Sequence, residues 1–143
     1  MLIVSPALAA ANNGNWQTAS RWARLLRSSC RTEVIGAWNG QPCDVLIALH
    51  ARRSAASVAA FTAAHPTRPC IVVLTGTDLY RDIRTDATAQ ASLQLATRLV
   101  VLQEQGLSAL PAPLRDKACV IYPSVTPRQP APPPQRSLRA VWV

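Results

Sequence analysis

Apolar residues along this chain gather in short continuous runs, and between the runs they recur every three or four positions. Leu2 to Val4, Thr32 to Trp38, Asp44 to His50, Cys70 to Leu74, Arg98 to Leu102 and Ala118 to Tyr122 are the runs. Because they do not alternate with polar residues, they read as strands covered on both faces, as in a parallel sheet. Trp16, Ala19, Trp22, Ala23 and Leu26 share one helical face, with Arg21, Arg24 and Arg27 mostly opposite, and Asn13 or Asn15 is the candidate N-cap. Arg52 to Ala64 predicts an Ala-rich helix closed by His65-Pro66. A further helix runs from Asp86 to Leu95, its acid placed where the helix dipole favours negative charge. Gln103 to Leu110 and Pro113 to Lys117 predict short helical pieces. Strands alternating with helices at this pitch give βαβ units. The predicted fold is therefore α/β, a Rossmann-like parallel sheet with helices on both faces.

The pattern changes after Tyr122. Pro123 to Pro134 holds six prolines and no apolar periodicity, which predicts a stiff, extended linker. Leu138 to Val143 then resembles the start of a strand. The expected organisation is a Rossmann-like domain over 1–122, a proline-rich linker over 123–137, and the beginning of a further domain over 138–143. A dispensable tail is the alternative.

Composition narrows the partners. With 49% apolar residues the chain carries enough hydrophobic mass for a core. No run approaches the roughly 18–20 apolar residues of a membrane helix. The start, Met1 to Pro6, lacks the basic residues and length of a secretion signal. A soluble cytoplasmic protein without membrane association is expected. The formal charge of +8 would suit nucleic acid, but fourteen of the fifteen basic residues are Arg and they are scattered, with only Arg52 and Arg53 adjacent. That distribution argues against a nucleic-acid stripe and for a small anion held by a few Arg side chains. Cys30, Cys43, Cys70 and Cys119 form no Cys-x-x-Cys pair and have no His at metal-ligand spacing, so core thiols and no metal are predicted.

Three loops at the expected carboxyl ends of strands carry candidate chemistry, the edge where open α/β sheets bind ligands. Asn13, Gly14 and Asn15 precede the first helix, whose N-terminus would favour an anion. The sequence lacks both Gly-x-Gly-x-x-Gly and a P-loop. His50 ends the third strand and could serve acid/base work, while Arg52 and Arg53 would open the next helix, an unfavourable place for cations unless an anion joins them. Thr75, Gly76, Thr77 and Asp78, followed by Arg81, Asp82 and Arg84, form the densest polar cluster beside a buried strand. Asp78 could equally be the N-cap of a short helical turn. No Ser-His-Asp order or carboxylate pair emerges, and catalytic residues stay unassigned.

Several long runs resemble one branch of the GT-B glycosyltransferases, the selenosugar synthases of selenoneine biosynthesis. They are Pro6-Ala7-Leu8-Ala9, Asn12-Asn13-Gly14-Asn15-Trp16-Gln17-Thr18-Ala19, Ala48-Leu49-His50-Ala51-Arg52-Arg53-Ser54, Val73 to Ile83, and Arg98 to Gln103. The resemblance covers Met1 to about Tyr122. It implies the N-terminal, acceptor-side half of a two-domain architecture. It also implies transfer of N-acetylglucosamine from UDP-N-acetylglucosamine, a substrate and not a cofactor, to the selenium of selenophosphate. The C-terminal donor-binding domain would follow near Leu138, and this chain alone would be inactive. Many related enzymes carry His-Gly where this chain has Thr75-Gly76, so that histidine's sugar contact does not carry over. The rival reading is a stand-alone Rossmann-like module binding a small phosphorylated ligand or a protein partner.

Overall fold

The computed structural model describes residues 1–11 and 13–125. Six strands, β1 (Leu2–Val4), β2 (Glu33–Ile35), β3 (Leu46–Leu49), β4 (Cys70–Leu74), β5 (Arg98–Val101) and β6 (Ala118–Val120), form one sheet in the order β2-β1-β3-β4-β5-β6. Every pairing is parallel. The helices are α1 (Gly14–Leu26), α2 (Ala55–Ala64), the single turn α3 (Ile83–Thr85), α4 (Ala87–Leu95) and α5 (Gln105–Ala109). The predicted Rossmann-like α/β class is the observed one.

Alternate strand residues face opposite layers, as the two-residue period of a strand requires. Leu2, Val4, Leu46, Ala48, Cys70, Val72, Leu99 and Val101 pack with Val58 and Phe61 of α2 and with Ala89 and Leu93 of α4. Ile3, Ile47, Leu49, Val73 and Val100 face Ala19 and Ala23 of α1. Both faces are covered where α1, α2 and α4 lie, which is why the runs are continuously apolar. The outer strand β6 is less sheltered: Cys119 is exposed, not the buried thiol its apolar run predicts, whereas Cys70 is fully buried. Burial pushes the Cys70 thiol up to about 11.

The structure trims several predicted elements. The second strand ends at Ile35, and Trp38 folds inward instead, its indole N–H donating to Gln41 O at 2.8 Å and its ring meeting Phe61 edge-on at 5.5 Å. The helix predicted from Arg52 starts at Ala55, so Arg52 and Arg53 belong to the turn before it. Asp78 to Asp82 form one π-helical turn that the sequence pattern does not announce. The prediction for 123–137 concerns mostly, and that for 138–143 entirely, residues outside those described. Among the described residues no helix is long and apolar enough to cross a membrane.

One topological fact sets the site. From β1 the chain moves outward to β2, returns past β1 to β3, and continues in that direction to β6. The strand order reverses between β1 and β3, and the loops leaving their carboxyl ends part in opposite directions. In open α/β sheets such a switch point leaves a crevice.

Candidate functional site

A cleft of about 340 Å³ lies at that crevice. Asn13, Gly14, Asn15 and Thr18 of α1 form one wall, and His50 and Arg53 from the turn after β3 form another. Thr75 and Thr77 after β4 and Leu102 after β5 complete it. Four loops from separate parts of the sequence thus converge on one polar, open space.

Local chemistry explains each wall. At α1 the Asn13 backbone is extended and its side-chain carbonyl accepts from the N–H groups of Asn15 (3.1 Å) and Trp16 (3.2 Å), a standard N-cap. The cap is neutral, so it satisfies these donors without cancelling the positive end of the helix dipole.

The turn after β3 is held from three sides. His50 N–H donates to Val73 O at 2.9 Å, continuing the sheet ladder by one residue. Ala51, fully buried, donates its N–H to Asp78 Oδ2 at 2.8 Å and accepts from the Ser92 hydroxyl of α4 at 2.8 Å. Ser54 Oγ donates back to Leu49 O at 2.6 Å. Between these anchors His50 adopts φ +70°, a left-handed conformation uncommon outside glycine. Its ring is buried at the cleft wall, and the Arg53 N–H donates to Nδ1 at 3.4 Å.

The turn after β4 is organised by Asp78, whose carboxylate is completely buried. Besides the Ala51 N–H it accepts from the N–H groups of Thr75 (2.9 Å) and Gly76 (3.0 Å). One side chain therefore ties the β3 and β4 loops together, leaving the hydroxyl-bearing Thr75 and Thr77 at the cleft. Gly76, at φ +134°, makes a turn there that a side chain would strain.

These positions sort the residues singled out in the sequence. Asn13, Gly14, Asn15, His50, Arg53, Thr75 and Thr77 are brought together around the cleft. Asp78 lies beneath it as the tie between loops, and it is not the side-chain N-cap of the π-turn, since that turn begins without one. Gly76 shapes the loop without lining the space. Arg52 and Arg81 are drawn to Asp82: Arg81 Nε–H donates to Oδ1 at 3.0 Å, and Arg52 Nε stands 2.9 Å from Oδ2. Burial alone would raise the Asp82 carboxyl, but the Arg81 hydrogen bond and the Arg52 and Arg81 charges outweigh it and hold the group below its usual range. The Arg52 contact is an ion pair without an aligned N–H, so buried Oδ2 has no hydrogen-bond donor among the described residues. Of this group of Arg side chains, Arg53 is the one at the cleft, exposed and with no guanidinium partner among the described residues.

Sequence reasoning left out Thr18, Leu102 and the role of Asp82. Thr18 was within reach, since it stands four residues after Gly14 on the same helical face. Leu102 follows directly from the strand-end rule. The pull of Asp82 on Arg52 spans thirty residues and has no local signature.

Fold and cleft together define an open Rossmann-like α/β domain with a basic, hydroxyl-lined site at its topological switch point. No protein-family model matches the chain, and no curated protein matches it.

Proposed function

We propose that this cleft binds a small phosphoryl-type anion, as the acceptor side of a GT-B glycosyltransferase resembling the selenosugar synthases. The observation that carries the anion site is the convergence of Arg53, the N-terminus of α1 and the Thr75 and Thr77 hydroxyls on one space. An unpaired guanidinium, a helix dipole and neutral donors are what a tetrahedral oxyanion requires. The glycosyl transfer itself rests on the sequence runs resembling that family, most of whose polar residues line or brace the cleft.

In this reading selenophosphate sits in the cleft with its selenium facing an opposing donor domain. Selenium attacks the anomeric carbon of UDP-N-acetylglucosamine, a C–Se bond forms, and the C–O bond to UDP breaks with the electron pair leaving on UDP. Selenophosphate is already anionic and nucleophilic, so alignment and charge neutralisation carry the rate and no general base on this chain is needed.

Calorimetric titration with inorganic phosphate and selenophosphate tests the site. Saturable binding that Arg53→Ala weakens is expected, and no binding of either anion would reject it. Supplying UDP-N-acetylglucosamine tests the chemistry. Transfer is expected only with a donor-binding domain present, and turnover by this chain alone would reject the acceptor-half assignment. The smallness of the cleft, about 340 Å³, favours a second reading, a stand-alone module for a phosphorylated small molecule. Phosphate binding with no transfer under any pairing would select it.

A further inference from the structure

His50 is placed differently from a ring that merely fills space. Its Nδ1 stands 4.0 Å from Asp78 Oδ2, and its Nε2 stands 4.0 Å from Asp82 Oδ2. Both carboxylates come from the same π-turn, one at each end. A neutral imidazole can donate through only one nitrogen. Here Nδ1 already accepts the Arg53 N–H, which leaves the proton on Nε2 and gives Nδ1 nothing to offer Asp78. Asp82 Oδ2, buried and lacking a donor, faces Nε2 beyond hydrogen-bond range. An imidazolium, with a proton on each nitrogen, would match this two-sided acid setting.

Resting on the anion site proposed above, we propose that the cleft takes up a tetrahedral dianion together with one proton, and that His50 holds the proton.

The charged groups facing His50 explain why the proton waits for the ligand. Burial most strongly disfavours the imidazolium, and Arg53 and Arg52 on its own turn add to that, while Asp78 and Asp82 on the opposing turn favour it. The result holds His50 below its ordinary range, which favours the neutral ring near neutral pH. A dianion beside Arg53 offsets that cation and brings negative charge to the wall His50 shares. The balance then reverses. The proton comes from solvent to Nδ1, which gives up the Arg53 N–H and turns toward Asp78 Oδ2 as Nε2–H closes on Asp82 Oδ2. Each approach needs a movement of about 1 Å to reach charge-assisted hydrogen-bond length.

The test uses the full chain and sulfate, a dianion that does not itself titrate near neutrality. Isothermal titration at about pH 6 and about pH 8, each in two buffers of different protonation enthalpy, should show sulfate binding about tenfold tighter at the lower pH. The binding heat should differ between buffers by the uptake of a proton. The His50 ring resonances should titrate at higher pH with sulfate present. His50→Asn keeps a residue tolerant of the left-handed backbone and should bind sulfate without the pH dependence. Asp82→Asn should reduce the dependence. Sulfate binding with equal affinity at both pH values and buffer-independent heat would overturn the proton coupling and leave the anion site intact. Absence of sulfate binding at either pH would overturn both.

Discussion

Asn13 and Asp86 close the first turns of α1 and α4 with the same geometry. Each side-chain Oδ1 accepts from the second and third residues beyond it: Asn15 and Trp16 N–H at 3.1 and 3.2 Å, and Thr88 and Ala89 N–H both at 2.9 Å. The difference is charge. At α4 a carboxylate supplies the negative charge the helix N-terminus favours, and the Thr88 hydroxyl donates to the same oxygen at 2.6 Å. That end of the helix is complete in itself. At α1 the cap is an uncharged amide, and the positive end is left facing the cleft with Arg53 across from it. Under the anion site proposed above, a helix end that only folds and one that holds a ligand share a hydrogen-bond pattern and differ in one atom type.

Four substitutions sharpen or break this comparison. The largest effect should come from Asp78→Ala, which removes the acceptor for three N–H groups and unties the loops beside α1. Denaturant unfolding should show a loss of about 3 kcal/mol or more, and a loss below about 1 kcal/mol would mean that the loops hold without it. Arg53→Ala should weaken phosphate binding by about tenfold with an unchanged melting temperature, and unchanged affinity would remove the guanidinium from the site. Asn13→Asp places at α1 the charge that α4 already has. Phosphate affinity should fall about threefold while helix stability holds or rises, and tighter phosphate binding would contradict the role given to the neutral cap.

Asp86→Ala should lower the melting temperature by a few degrees without touching phosphate affinity. This effect has a defined pH course. The Thr88 hydroxyl bond, then the Ala89 and Thr88 backbone N–H groups, keep the Asp86 carboxyl below its usual range against burial. A depressed acid stabilises the fold at pH values above its unfolded titration, and that gain disappears as pH falls through the folded one. The parent and Asp86→Ala melting curves should therefore converge on acidification, and a gap that persists into acid would assign the stabilisation to something other than the ionised cap.

What the sequence disclosed and what it hid divide along physical lines. Cys70 to Leu74 and Leu46 to Leu49 were legible because burial on both faces leaves a continuous apolar record. The α1 face was legible through Ala19, Trp22, Ala23 and Leu26, and Asp86 through helix-dipole preference. Strand ends then pointed to the three loops that line most of the cleft. The π-turn over Asp78 to Asp82 was hidden, because its carboxylates are set by contacts to Ala51, Arg52 and Arg81 and leave no periodic mark. For the same reason Arg52 and Arg53, neighbours in sequence and alike in chemistry, could not be told apart. One is drawn to Asp82 and the other faces the cleft.

The backbone of His50 carries a consequence for how this protein would tolerate change. Glycine takes a left-handed φ freely and asparagine nearly so, while most side chains resist it. At this position the backbone is therefore compatible with residues that have no imidazole. A lineage losing His50 to Asn would keep the backbone of this turn while giving up a buried ring that accepts the Arg53 N–H, and under the anion site proposed above the loss would also surface in ligand binding. Backbone geometry and the proposed proton chemistry favour different residues at one site, so a folded domain is by itself no sign that the proposed binding is kept.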